Sequence, residues 1–246
     1  MSNSLERLQK IIAQSGVTSR RKAEQLILEG KVKLNNKVVT ELGTKASQAD
    51  TIEVDGVPLQ KEAPVYYLLY KPRAVISSLK DDKNRKIVTD FMEGVPERVF
   101  PIGRLDYNTS GILLLTNDGD FANLLMHPKH EVSKVYVAKV SGIPEKSELN
   151  ILRKGIKVEN DLLRAVSYKI LSSDKNKNTS IIELTLNEGK NRHIRRMMEQ
   201  IGFPVKKLKR ERYGSLTLHG LQPGDSRPLT PHEVKQMRHL ASEIVK

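Results

Sequence analysis

The stretch GRLDYNTSGILLLTNDGD, residues 103–120, sets one carboxylate, Asp106, between basic Arg104 and a turn-forming Asn-Thr-Ser-Gly, with an apolar run directly behind. Three chemistries are open to that carboxylate. It could ligate a cation, because Asp106, Asn108 and Ser110 fall at positions 1, 3 and 5 of a calcium-loop spacing, with Gly111 at position 6. Position 12 of such a loop needs a bidentate glutamate and is Asn117 here, and ILLLT reads as a strand where a helix should begin. Calcium is therefore not expected. Asp106 could instead close the turn through its own side chain, as aspartates commonly do. Or it could serve as a nucleophile or base, which requires a neighbour that holds it in place. Ser110 is not a lipase-type nucleophile, since GxSxG is absent and no Ser-His-Asp set presents itself.

A candidate neighbour comes nearly ninety residues later, in EGKNRHIRRMMEQIG. Ile194, Met197, Met198 and Ile201 recur at helical spacing and form an apolar stripe. Arg192, Arg196 and Glu199 fall on the opposite face, which is expected to meet solvent. Arg195 falls at the stripe's edge, where a side chain can enter a cleft. A buried guanidinium needs a carboxylate, and Asp106 is available. From spacing alone Tyr136, in SKVYVAKV, reads as an ordinary strand aromatic.

The elements that must carry these residues are legible from periodicity. VYYLLY, ILLLT, KVYVAKV and TSIIELTL read as strands, and GDFANLLMH and NRHIRRMMEQIG as short helices. SSDKNKNTS reads as a solvated hairpin loop, and Thr230-Pro231-His232-Glu233 as a capping box that opens a helix. The mixture predicts an α+β domain on a mixed, largely antiparallel sheet over residues 65–240. In front of it, residues 5–64 predict a smaller unit. LERLQKIIAQ places Leu5, Leu8, Ile11 and Ile12 on one helical stripe that Gly16 stops. TSRRKAEQLILEG is a second helix, capped by Thr18 or Ser19 and ended by Gly30, with Ala23, Leu26 and Ile27 inward. KVKLNNKVV and TIEVDGVPL follow as strands turning at Asn-Asn and Asp-Gly.

Composition bounds what the chain can do. With no cysteine, disulfides, thiolate metal sites and cysteine nucleophiles are excluded. Six scattered histidines without an HExxH pair speak against a zinc enzyme. No apolar run approaches the roughly 18–20 residues a membrane helix needs. The first residues lack a signal-peptide core, so a cytoplasmic protein is expected. Lys and Arg number 42 against 29 Asp and Glu, a net charge of +13 that points to a polyanionic partner, most often nucleic acid. Arg20, Arg21 and Lys22 open the second helix, where cations oppose the helix dipole, and a bound phosphate would offset that placement. Lys31, Lys33 and Lys37 follow on the hairpin. Ordinary solvated charge is the plainer alternative for both groups.

Four ordered segments share a family resemblance: YKPRAVISS, GRLDYNTSGILLLTNDG, HEVSKVYVAKV and EGKNRHIRRM. They resemble the pseudouridine synthases of the ribosomal small-subunit synthase A and large-subunit synthase B group, and the wording of ERLQK, SRRKAE, LMHPKHE and KLKRERY is nearest the latter. SRRKAEQLILEGKVKLN resembles the S4 RNA-binding module. The resemblance runs from about residue 5 to 240. It implies a cofactor-free isomerisation in which uridine's base is detached from its sugar, rotated and rejoined through carbon. Asp106 matches the family's essential aspartate, Tyr136 the tyrosine that stacks on the target base, and Arg195 the arginine that pairs with the aspartate. The residue types suit the task, since a base-modifying enzyme must extrude its base and hold it on an aromatic face. The resemblance further implies RNA contacts at Arg20, Arg21, Lys22, Lys31, Lys33, Arg104, Asn191, Arg192, Lys207, Lys209 and Arg210, with Lys206 in the same basic run, and needs neither metal nor cofactor.

Within the family the expected substrate is 23S rRNA or an assembling large subunit. A relative acting on 16S rRNA and a non-catalytic RNA-binding or ribosome-assembly protein are the alternatives. No segment has the look of a dimer seam, and a monomer is expected. The family usually has Gly where this chain has Ala74, and Asn108 stands where Asp is also common. If position 74 needs positive φ, alanine there costs about 1 kcal/mol or more. The expectation is that the loop simply accommodates Ala74.

Overall fold

The computed structural model describes residues 5–47 and 49–243. By internal contacts the chain divides into two compact units. Among the described residues, the first holds those from 5 to 65 together with Val95–Val99 and Asn117–Gly119, and the second holds the others.

In the first unit α1 (Leu8–Gln14) and α2 (Arg20–Leu28) pack on a four-stranded antiparallel sheet of β1 (Val32–Leu34), β2 (Lys37–Val39), β3 (Ile52–Val54) and β4 (Val57–Pro58). Ser19 caps α2 by accepting from the Lys22 backbone N–H at 3.3 Å. The β1–β2 turn uses Asn35 and Asn36 at φ 50° and 64°, the left-handed geometry that asparagine tolerates better than most residues. Leu8, Ile12, Ala23, Ile27 and Val32 are fully shielded. Leu5 does not join that stripe. Glu6–Arg7 is extended and pairs with Lys45–Ala46, the Leu8 N–H bonds the Thr44 carbonyl, and Leu5 is left 63% exposed ahead of the helix.

The second unit is built on a mixed sheet, nine strands among the described residues. Its main path runs β9 (Ser167–Asp174), β10 (Thr179–Leu186), β8 (Lys134–Ser141), β11 (Val205–Tyr213), β7 (Thr109–Thr116), β5 (Tyr66–Lys71) and β13 (Ser226–Pro228). β6 (Phe100–Ile102) pairs with β7, and β12 (Leu216–Thr217) with β11. Neighbours are antiparallel except at β11–β7, where Leu208, Lys209 and Arg210 run parallel to Thr109, Ser110 and Gly111. That junction matters for the site. Gly111 sits at φ 114°, and a Cβ there would run into the Arg210 backbone. The glycine of the NTSG turn is therefore required by the close approach of two strands.

Helices supply the two cores. α4 (His193–Gln200) buries Ile194, Met197 and Met198 against Ala138, Ile182, Leu184 and Leu208. Each such side chain is worth about 1.5–3 kcal/mol when fully buried. α3 (Gly119–Met126) and α5 (Pro231–Glu243) flank the other core, where Phe121, Leu125 and Met237 meet Ile112, Leu114 and Tyr213. The expected capping box forms: Glu233 accepts from the Thr230 N–H at 2.8 Å and donates its own N–H back to the Thr230 hydroxyl at 3.2 Å. Among the described residues no helix is long and apolar enough to cross a membrane.

Candidate active site

Asp106 ends the segment that leads into β7. Its turn closes through the backbone, with the Thr109 N–H donating to the Asp106 carbonyl at 2.9 Å, so the carboxylate is free for other work. Asn117, the would-be twelfth ligand of a calcium loop, is buried and accepts from the Val65 N–H at 2.8 Å. No cluster of three or more metal-ligating side chains occurs among the described residues.

The long-range partner is where helical spacing put it. Arg195 Nε lies 3.7 Å from Asp106 Oδ2, with side chains 12% and 33% exposed. At that distance the contact is an ion pair without a hydrogen bond. The rest of the guanidinium is committed elsewhere: Nη1 donates to the Val205 carbonyl at 3.2 Å, and Nη2 to the Asn108 carbonyl and Thr109 hydroxyl, each at 3.4 Å. Arg195 thus grips the Asp106 loop by its backbone while leaving the carboxylate oxygens accessible. Burial pulls the Arg195 pKa below its ordinary value, and Asp106 acts in the opposite sense. Arg196, expected in solvent, instead pairs with Asp161 at 2.8 Å and Glu159 at 3.1 Å, because the hairpin Ile156–Val158/Asp161–Leu163 covers that face of α4.

A second cation holds the same loop, and sequence reasoning gave it no role. Lys71, at the end of β5, is wholly buried. Its Nζ lies 2.9 Å from the Thr109 carbonyl, 3.0 Å from that of Pro72 and 3.2 Å from that of Asp106. Burial brings its pKa down to about 8, against the attraction of Asp106. The available signal was a lysine closing an otherwise apolar strand, VYYLLYK, since lysine is almost never fully buried unless its charge is met. The neighbouring loop is tied on as well: the Ala74 N–H donates to the Tyr107 carbonyl at 2.8 Å, and the Ser77 hydroxyl to the Leu105 carbonyl at 2.9 Å. Ala74 sits at φ 60°, so the position does demand the left-handed conformation, contrary to the expectation of a tolerant loop. The loop's bonds to the Asp106 segment hold it there.

Asp106 opens onto a cavity of about 410 Å³, within the range of sites that enclose a small molecule. Tyr136 lines it from β8, half-buried, directly opposite Arg210 of β11. Arg104 and Arg192 line it too, both exposed. Lys134 and His193 line it as well. Burial lowers the Lys134 pKa to about 8 and that of His193 to about 4, so the imidazole is neutral near pH 7.

Arg210 corrects the expectation of a backbone contact at the surface. It is 3% exposed, and its Nε donates to the Ile112 carbonyl at 2.8 Å. The alternation of β11 turns it inward, while Lys206 and Lys207 remain exposed. Lys209 is half-buried and pairs with Glu211 at 2.8 Å. Asn191 is exposed at the start of the α4 segment and does not line the cavity. In the first unit Arg20, Arg21, Lys22, Lys31 and Lys33 are all exposed, and Lys31 pairs with Glu29 at 2.9 Å.

Residues 65–200 match the family model described as RNA pseudouridylate synthase. The chain belongs to the RNA pseudouridine synthases. Residues 6–52 match the S4 domain, so the synthase carries an RNA-binding module in its first unit. It is 62% identical over 237 residues to ribosomal large subunit pseudouridine synthase B of Bacillus subtilis, covering 96% of this chain and 97% of that protein. It is 40% identical to an uncharacterized RNA pseudouridine synthase of Aquifex aeolicus, covering 94% and 93%. Among solved structures, one described as a pseudouridylate synthase superposes with a TM-score of 0.65 at 26% identity, covering 94% of the synthase and 99% of that chain. The synthase is thus an isomerase of RNA uridines.

Proposed function

We propose that this synthase isomerises a specific uridine of large-subunit ribosomal RNA, with Asp106 as the catalytic carboxylate. The observation that carries the reading is the Asp106–Arg195 pair. It joins residues nearly ninety positions apart, beside a base-sized cavity that Asp106 and Tyr136 both line. The flipped uracil lies against the Tyr136 ring. Asp106 attacks or deprotonates the nucleotide while the N1–C1′ bond breaks, the base turns, C5 bonds to C1′, and the proton on C5 is lost as N1 gains one. Substrate and product are isomers, so no co-reactant is consumed. Residues 5–64 dock the RNA through Arg20, Arg21, Lys22, Lys31 and Lys33, and Arg104, Asn191, Arg192, Lys207 and Lys209 contact its backbone near the cavity. The protein acts as a monomer in the cytoplasm.

The choice of large-subunit RNA rests on the extent of likeness to the Bacillus subtilis relative. Mapping pseudouridines in ribosomal RNA from cells with and without the protein tests it. Loss of one large-subunit position is expected. Loss of a small-subunit position instead would reassign the substrate, and an unchanged map would remove the ribosomal assignment.

A further inference from the structure

Beside the cavity at Asp106, and continuous with it, lies an open groove of about 810 Å³ that the reaction as described does not use. Pro128, Asn187 and Glu188 line both spaces, so a strand leaving the cavity past them enters the groove. Arg153, Lys154 and Arg164 line the groove alone. No motif marks these three cations.

Their footing is rigid. Arg153 and Lys154 end the short helix Ile151–Lys154, and Arg164 directly follows the strand Asp161–Leu163. The Ala165 N–H donates to the Leu152 carbonyl at 2.8 Å, and the Val166 N–H to the Thr185 carbonyl at 2.8 Å, which ties both segments to the sheet. Leu152, Leu163 and Ala165 are buried in the core beneath α4, while Arg153, Lys154 and Arg164 are exposed. Their charge is also uncommitted. Lys31, Lys190, Arg196 and Lys209 each meet a carboxylate at 2.8–3.5 Å, but none of these three forms an ion pair among the described residues. A one-turn helix has little dipole for Arg153 and Lys154 to offset, and Arg164 lies outside it. Two carboxylates line the groove as well, at the end shared with the cavity, and both are engaged. Glu188 pairs with Lys190 at 3.5 Å, and Glu131 accepts from Asn187 Nδ2 at 3.2 Å. Three fixed cations without counter-charges favour a polyanion.

We propose that this groove carries the RNA strand adjoining the extruded uridine, with its phosphates on Arg153, Lys154 and Arg164. The inference rests on the proposed function, since it needs the target nucleotide in the cavity. A basic groove that tracks the backbone holds a single strand without reading its sequence. Ribose 2′-hydroxyls are donors as well as acceptors, so Glu131 and Glu188 meet the sugars of a strand whose phosphates lie on the cations. Such contacts set the register of the strand, and so which nucleotide reaches Asp106.

The test measures binding, with Asp106→Asn in every protein so that RNA is not consumed. The probe is an RNA hairpin containing the uridine found by mapping. Arg153→Gln, Lys154→Gln and Arg164→Gln together are expected to weaken binding roughly 10–100-fold at low salt and to flatten the salt slope by about two. The melting curve is expected to stay unchanged, because all three side chains are exposed. Lys175→Gln with Lys177→Gln, in the solvated loop between β9 and β10, removes charge outside the groove and is expected to change affinity less than about twofold. Neutral methylphosphonate linkages then replace the phosphates flanking the uridine, one at a time. With the groove intact, linkages that lie in it are expected to lower affinity. In the triple variant the same linkages are expected to have no effect, because their partners are gone. An unchanged affinity and slope in the triple variant, a loss per charge matched by the Lys175 and Lys177 control, or linkage effects that persist in the triple variant would each overturn the proposal. Failure of the underlying reading looks different: with its groove intact, the chain would bind the mapped hairpin no better than an unrelated hairpin of equal length, and the proposal would fall with it.

Discussion

Two sets of cations in this molecule do opposite kinds of work. Arg20, Arg21 and Lys22 open α2 and are exposed. Lys71, Arg195 and Arg210 are buried or nearly so, and each points at named oxygens. An exposed cation interacts with a phosphate through high-dielectric water, so its geometry matters little and its effect fades with salt. A buried one has lost its hydration and must be met by fixed acceptors. Exposed charge supplies affinity that is exchangeable among residues. Buried charge holds one loop in one position and is not exchangeable, even between arginine and lysine.

Substitutions can break this contrast. The largest effect is expected at the group that Lys71 and Arg195 both serve: Asp106→Asn should abolish product formation while RNA affinity changes less than about twofold. A variant that turns over normally would return Asp106 to a turn residue. Next, Lys71→Met should strand the carbonyls of Thr109, Pro72 and Asp106. At about 1–3 kcal/mol for each buried acceptor left unmet, the melting temperature should fall by several degrees. The single-turnover rate should fall with it, and an unchanged melting curve would show that the lysine is not holding the loop.

Replacing Arg20, Arg21 and Lys22 together by Gln should leave melting unchanged and weaken RNA binding. The salt slope should shrink by about 0.7–0.9 for each phosphate that is no longer neutralised, and a constant slope would exclude these residues from the interface.

The contrast also has a pH signature. Lys71 and Lys134 have pKa values lowered to about 8 in the folded chain, against 10.5 for an ordinary lysine. Between those values the unfolded chain binds more protons at these positions, so their contribution favours folding increasingly as pH rises. The same deprotonation removes the charge that grips the Asp106 loop. The rate at saturating RNA should therefore decline above about pH 8 while urea stability does not. Parallel losses of rate and stability would refute this. The smallest effect concerns Ala74: Ala74→Gly relieves a φ of 60° and should raise stability by up to about 1 kcal/mol.

Much of this was legible beforehand for local reasons. The Asn-Asn and Asp-Gly turns, the Ser19 cap, the Thr230–Glu233 box and the α4 stripe depend on neighbours within a few residues, and those neighbours are written next to them. Leu5 failed because a strand pairing about forty residues away, Glu6 with Ala46, outweighed helical spacing. Arg196 failed because the stripe shows which face is apolar but not that a hairpin covers the opposite one.

The sequence by itself determined the family, the catalytic carboxylate's candidacy and the arginine that could meet it, because a long ordered motif and a helical period survive without coordinates. Only the tertiary structure decided which cations are buried. Lys71, Arg195 and Arg210 look like any others in a chain with 42 basic residues. The roles of Lys71 and Arg210 come from strands β5, β7 and β11 lying side by side in the sheet, with Gly111 letting two of them touch, and that of Arg195 from α4 reaching the same loop. That adjacency is a property of long-range pairing, which no local pattern encodes.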